Sequence, residues 1–305
     1  MKIRTILFRS SGLVLALGLF SLNSCTKDNG TTGSGLNAAA VVNISADEST
    51  SDNVFNEVFD NVAGIDNATA GDSLGLYGSD GSGVFGAMAF NAAGEMTNQA
   101  TARCFTVTVT PQGKGIFPKT VTIDFGTGCD KGGHIRQGKI ITVYSGRLGV
   151  PGSQAVTTFD GYKVDSFAIE GKHTLTNISD LGGNQRAFHV VVENAKVTNT
   201  ANGRWRGWNA DRTRTQIEGN GTPYYPLDDV FSITGARSGS NSEGRTWSGS
   251  TITPLIRKAT CPWLVSGTVK LTVNSTDGVL DYGDGTCDNQ AVITVNGVAH
   301  TITLH

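Results

Sequence analysis

The stretch that decides the fold is KIITVYSGRLGVPGSQAVTTFDGYKV, residues 139–164. Two runs rich in β-branched residues, 139–146 and 155–164, flank a Gly- and Pro-bearing break. Alternating or β-branched runs of this length read as strands, and the Gly/Pro cluster between them reads as a turn. The same reading extends outward in both directions. Upstream lie FTVTVT (105–110) and TVTID (120–124). Downstream lie FHVVVENAKVTN (188–199), DVFSITG (229–235), GTVKLTV (267–273) and AVITVNG (291–297). No helix-length gap separates them, so neighbours are expected to pair antiparallel as a meander. The expected fold is mainly β, either sandwich-like or a curled open sheet, with one N-terminal helix.

That helix is predicted over residues 47–65. Val54, Phe55, Val58, Phe59 and Val62 recur at three- and four-residue steps, which places them on one face. Thr50, Ser51 and Asp52 are candidate N-caps, and Gly64 a stop. Residues 66–100 are rich in Gly and Ala and show no clear period. Gly81, Gly83 and Gly86 fit a dinucleotide-binding fingerprint in letter only, because no strand precedes them and no βαβ unit surrounds them.

The first residues specify an address. Lys2, Arg4 and Arg9 form a basic leader, and residues 12–22 form an apolar run. The run is shorter than the roughly 20 residues needed to span a bilayer, so it reads as the core of an export signal. Leu22-Asn23-Ser24-Cys25 resembles the lipobox of bacterial lipoproteins, which marks Cys25 as the lipidation site. Acyl chains bury about 0.8 kcal/mol per CH₂, and two or three of them anchor far better than one. The expected organisation is a signal peptide over 1–24, a flexible tether over 25–45, the helix and Gly-rich segment over 46–100, and a β body over 101–305. Thr26 after the modified residue favours the outer membrane, and Lys27-Asp28 weakly resembles a surface-display signal.

Cysteine usage agrees with export. Cys25 set aside, four cysteines remain, with Cys104 and Cys129 spaced 25 apart and Cys261 and Cys287 spaced 26 apart. In an exported protein such near-equal spacings favour the local disulfides Cys104–Cys129 and Cys261–Cys287. Each removes about 3.5 kcal/mol of unfolded-chain entropy by the loop-closure model. No C-x₂-C spacing supports a metal site.

An internal echo accompanies these pairs. Asp124-Phe125-Gly126-Thr127-Gly128-Cys129 matches Asp281-Tyr282-Gly283-Asp284-Gly285-Thr286-Cys287 with one insertion. This suggests two related units, over about 101–200 and 201–305. The lipobox, the single helix, the Asp-Phe-Gly-x-Gly-Cys turn, the stretch from Thr158 to Gly171 and the closing segment from Asp281 together resemble a set of uncharacterised cell-envelope lipoproteins of Bacteroidota. The resemblance implies a lipid-anchored envelope protein and brings no catalytic residues with it.

Few residues suggest chemistry. A net charge of −2 argues against nucleic acid as a partner. The five histidines are scattered, and no nucleophile elbow or metalloprotease pattern occurs. The expectation is therefore a non-catalytic protein with no cofactor. The candidate ligand-binding surface is Arg204, Trp205, Arg206 and Trp208, extended by Tyr224, Tyr225 and Trp247. In a strand, Arg204, Arg206 and Trp208 share one face. Exposed there, the rings would stack on sugars and the guanidiniums would pair with acidic groups. Asp281, Asp284 and Asp288 form a Ca²⁺ candidate without EF-hand spacing. Three functions compete: a structural or macromolecule-binding envelope protein, a glycan-binding surface lipoprotein, and a lipid-handling sheet. The last requires an apolar sheet face left uncovered.

Overall fold

The computed structural model describes residues 31–63, 104–111, 116–131, 133–222 and 228–304. The expected leader, Cys25 and the Gly-rich segment, with Gly64, Gly81, Gly83 and Gly86, lie outside the described residues.

Among the described residues one helix, α1 (Thr31–Ala63), precedes fourteen strands. They are β1 (Thr106–Thr110), β2 (Lys119–Asp124), β3 (Cys129–Lys131), β4 (His134–Tyr144), β5 (Gln154–Val164), β6 (Phe167–Asn177) and β7 (Ala187–Asn199), then β8 (Trp205–Glu218), β9 (Val230–Asn241), β10 (Thr246–Lys258), β11 (Leu264–Val273), β12 (Thr276–Asp284), β13 (Gln290–Val295) and β14 (Val298–Thr303). Each pairs antiparallel with its sequence neighbour, except that β2 and β3 both lie along β4. The fold is thus one open antiparallel meander sheet, as expected, and the sandwich alternative is excluded. The expected division near residue 200 falls in the β7–β8 turn, and the ladder continues across it.

The sheet curls around α1. Laid flat, the ten strand spacings from β4 to β14 would cover about 48 Å. A helix lying on such a flat face would bury one side only. Residues 48–62 of α1 include no exposed position, and the helix contacts both β4, where the Tyr144 hydroxyl donates to the Val62 carbonyl at 3.1 Å, and β14. The strands run oblique to the helix. Tyr144, Ala155, Leu175, Val190 and Arg212 form one cross-strand row, but Tyr144 meets Val62 while Arg212 meets Asp52. That is a descent of roughly three helical turns. Farther on, Arg237 meets Glu48, and Gly278 packs on Val41. Closing a sheet toward a barrel requires such a tilt, typically about 35–45°. The consequence is that a single long helix is swept from end to end.

The helix therefore starts much earlier than expected. Residues 31–45, read as tether, are helical, because Ala40, Val41 and Ile44 bury against the last strands. Thr50, Ser51 and Asp52 are interior positions, not N-caps. Buried hydroxyls in this helix find acceptors one turn back. Ser49 donates to the Ser45 carbonyl at 2.7 Å, Thr50 to Ala46 at 2.9 Å and Ser51 to Asp47 at 3.1 Å. Such back-bonding removes the cost of burying a hydroxyl unpaired.

Both expected disulfides form. Cys104–Cys129 ties the approach to edge strand β1 onto β3, and Cys261–Cys287 ties the β10–β11 loop to the segment after β12. The echoed turns share local geometry. Asp124 Oδ1 accepts the Gly126 amide at 2.9 Å, and Asp281 Oδ1 accepts the Gly283 amide at 2.9 Å. The intervening rings, Phe125 and Tyr282, are both buried.

Curvature is concentrated at bulges. The β4–β5 register slips between Gln137 and Lys139, and Gly138 sits there at φ 71°. A Cβ at Gly138 would lie 2.2 Å from the Gly161 carbonyl oxygen. Gly235 on β9 is equally confined, with φ 140° and 2.2 Å to the Asp211 carbonyl oxygen. Bulges with glycine bend a sheet where a side chain would block the bend. Gly138→Ala is expected to lower unfolding stability by about 2–4 kcal/mol. Urea denaturation with both disulfides intact checks this.

Candidate functional site

The concave face of the sheet is where a ligand would be sought, and α1 occupies it. Its apolar positions pack as the helix periodicity implies. Phe55 stacks on Trp208 at 5.3 Å between centroids, and Phe59 meets Phe188 and Phe231 edge-on at 5.8 and 5.6 Å. Interleaved with these rings, Glu48, Asp52, Asn56 and Asp60 recur at every fourth residue, and all are buried. A four-residue step keeps them in one row.

Four buried arginines on three adjacent strands face that row: Arg212 and Arg214 on β8, Arg237 on β9 and Arg257 on β10. Arg237 Nη1 donates to Glu48 Oε1 at 2.5 Å and to Asp52 Oδ2 at 3.0 Å. Arg212 Nη1 donates to Asp52 Oδ1 at 2.6 Å, and Arg257 Nη2 to Asp60 Oδ2 at 2.6 Å. Arg214 Nη1 meets the Asn56 amide oxygen at 3.2 Å. Tyr282 donates its hydroxyl to Glu48 Oε2 at 3.2 Å.

The electrostatics follow from burial and pairing. Burial pushes the Asp52 carboxyl up, but the guanidiniums of Arg212 and Arg237 outweigh it and hold Asp52 below the usual carboxylate range. At Glu48 burial wins over Arg237, and the carboxyl is raised. Burial alone would lower Arg237, yet Glu48 and Asp52 hold it above the usual arginine value. Burial brings Arg214 down to about 9, with Asp60 opposing and Arg257 assisting, so it stays charged at neutral pH. The arrangement binds acidic groups inside a dry interior. The carboxylates paired with these arginines, Glu48, Asp52 and Asp60, all come from the helix.

The expected surface platform does not assemble. On β8 the even-numbered side chains point inward, because that face meets α1. Trp208 is 1% exposed and lies between Phe55 and the Arg212 guanidinium, which is 4.6 Å from its ring. Trp247 is 6% exposed. Arg206 turns to Asp47, 3.1 Å away, and to the Phe167 ring. Arg204 remains exposed and pairs with Glu243, while Trp205 is half-buried with the Lys196 ammonium 5.7 Å from its ring. Tyr224 and Tyr225 lie outside the described residues.

The Ca²⁺ candidate also disperses. Asp281, Asp284 and Asp288 each accept a backbone amide two residues on, at Gly283, Thr286 and Gln290. Among the described residues no three His, Cys, Asp or Glu side chains converge on a metal position.

The residues missed by sequence reading are the four arginines and their partners. The signals were present: an acid or amide at every fourth position of the helix, and arginines on β8 in phase with Trp208. No family model, curated protein or solved structure matches the chain.

Removing one partner of such a network strands the others. Arg237→Met is expected to cost about 3–5 kcal/mol of stability, read from denaturant midpoints, because Glu48 and Asp52 lose their shared cation. His173 supplies a pH-dependent term. It is buried beside Phe55, and neither ring nitrogen has a hydrogen-bond partner. Burial, aided by Arg214 and Arg212, pushes its imidazole down to about 3. The unfolded chain therefore takes up this proton near the ordinary value and the folded chain does not. Stability from this group is complete above the ordinary value and drains as pH falls toward 3, by up to about 1.4 kcal/mol per pH unit. His173→Phe is expected to flatten the stability slope between pH 6 and pH 4 by about that amount. Melting curves across that range check it.

Proposed function

We propose that this chain is a non-catalytic, lipid-anchored protein of the bacterial cell envelope, held at the outer membrane through Cys25. The observation that carries the reading is the concave face. Where a curled sheet would hold a substrate, this one holds its own helix through buried ion pairs. Partners would then meet the convex face and the strand ends. That face carries cross-strand ion pairs such as Lys172–Glu193 and Lys270–Asp277, both half-exposed, as a solvated surface does. The two disulfides suit an oxidising compartment.

The anchor would also orient the body. Six peptide steps join Cys25 to Thr31, a reach of about 20 Å when fully extended. The N-terminal end of α1, and the strand ends around it, would therefore sit close to the bilayer. Among the described residues no helix is long and apolar enough to cross a membrane. The glycan-binding alternative loses Trp208 and Trp247 to the core. The lipid-handling alternative finds the inner face covered by α1.

The test is expression in a bacterium that matures lipoproteins. The wild-type chain is expected in the membrane fraction, with an intact mass matching cleavage before Cys25 plus a diacylglyceryl group. Cys25→Ser is expected to abolish that mass and that fractionation. Unmodified wild-type protein would overturn the proposal, as would a turnover on cell-wall or polysaccharide substrate that one carboxylate substitution removes.

A further inference from the structure

The charges of the buried arginine row do not balance. Asp52, Glu48 and Asp60 supply three carboxylates to the row, while Arg212, Arg214, Arg237 and Arg257 supply four guanidiniums. Arg237 shares two carboxylates, and Arg212 and Arg257 each bond one. Arg214 faces the third position of the helix row, where the residue is Asn56 and not an acid. The Asn56 amide nitrogen donates to Asp52 Oδ1 at 3.1 Å, which fixes its oxygen toward Arg214. The rings of Phe59 and Phe231 lie 3.8 and 5.2 Å from the Arg214 guanidinium. They offer cation–π contact and no counter-charge.

A small cavity adjoins this surplus. It is about 10 Å³, close to the room one water-sized particle needs, and Asp52, Asn56, Phe59, Trp208, Arg212 and Arg214 are among its walls. Five buried donors on those residues have no protein acceptor: Nε and Nη2 of Arg212, Nε and Nη2 of Arg214, and the Trp208 indole nitrogen. Both Asp52 oxygens are already engaged, Oδ1 by Arg212 and Asn56 and Oδ2 by Arg237. A site with surplus N–H donors, a surplus cation and apolar walls fits an anion better than a neutral particle.

We infer that the cavity between Asn56, Trp208, Arg212 and Arg214 binds one small monovalent anion, of which chloride is the abundant example, as the fourth counter-charge of the buried arginine row. A polyatomic organic anion would not fit in a space of that size. The ion closes the one position in the row where the helix lacks a carboxylate.

The experiment uses the mature chain with both disulfides formed, in chloride, bromide or gluconate salts at matched ionic strength, so that screening is equal. With the halide in about tenfold excess over its dissociation constant, the melting midpoint is expected to be about 2–4 °C higher than in gluconate. Crystals grown in bromide are expected to show one anomalous peak within contact distance of the Arg212 and Arg214 guanidiniums. Asn56→Asp places a carboxylate at that third position, so it is expected to remove both the halide dependence and the peak. Equal midpoints in halide and gluconate for the wild-type chain would overturn the inference, and so would a bromide map with no peak there. A halide effect that survived Asn56→Asp undiminished would overturn it as well. The wild-type comparisons decide the matter even if the variant does not fold.

Discussion

Four guanidiniums reaching out of a sheet toward a row of acids on one helix are the constraint on which the rest of this molecule depends. Buried charges are costly unless each is met by a partner in good geometry. The acids stand one helical turn apart, and the arginines come from three adjacent strands. Only one azimuth and one axial position of the helix satisfies all of them together. Apolar packing by Phe55, Phe59 and Val62 would tolerate small sliding, whereas the ion pairs would not. The network thus sets the register between helix and sheet.

The sheet must in turn be bent and tilted to bring those strands around one axis. Bulges at Gly138 and Gly235 provide the bending, at points where two backbones approach too closely for a side chain. The tilt spreads contacts along the helix, so β4 touches its last turn while β12 reaches Val41. A helix stopping at the predicted start would have left the last strands without a partner. This accounts for helical structure in residues 31–45, a region whose composition alone resembles a linker.

Much of the β body was legible because a half-buried strand alternates inward and outward residues, and that period survives in runs such as 139–146 and 155–164. The disulfides were legible because two pairs of near-equal spacing favour local pairing. The helix was half legible. A helix enclosed on nearly all sides buries polar as well as apolar residues, so the one-sided pattern used to find it fades before residue 47. The candidate site was misjudged in its sidedness. The strand phase of Arg206 and Trp208 was correct, but arginines usually mark the solvated face. The partners that invert that expectation lie far away in sequence, with Asp52 separated from Arg212 by 160 residues. No local window holds both halves of such a pair.

The order of elements governs how the chain acquires its shape as it is made. From β4 onward every strand pairs with one already made, so the sheet can grow by short-range hairpins as the polypeptide emerges. The helix is made first and enclosed last, since its bond to Tyr282 spans 234 residues. Until β12 emerges, Glu48 lacks the Tyr282 hydroxyl and Val41 lacks the backbone at Gly278, so the N-terminal half of α1 stays open to solvent and to any passing chaperone. A chain cut short before that strand would leave Val41 bare and Glu48 short of one donor, so the axle is sheathed only when the last strands are in place.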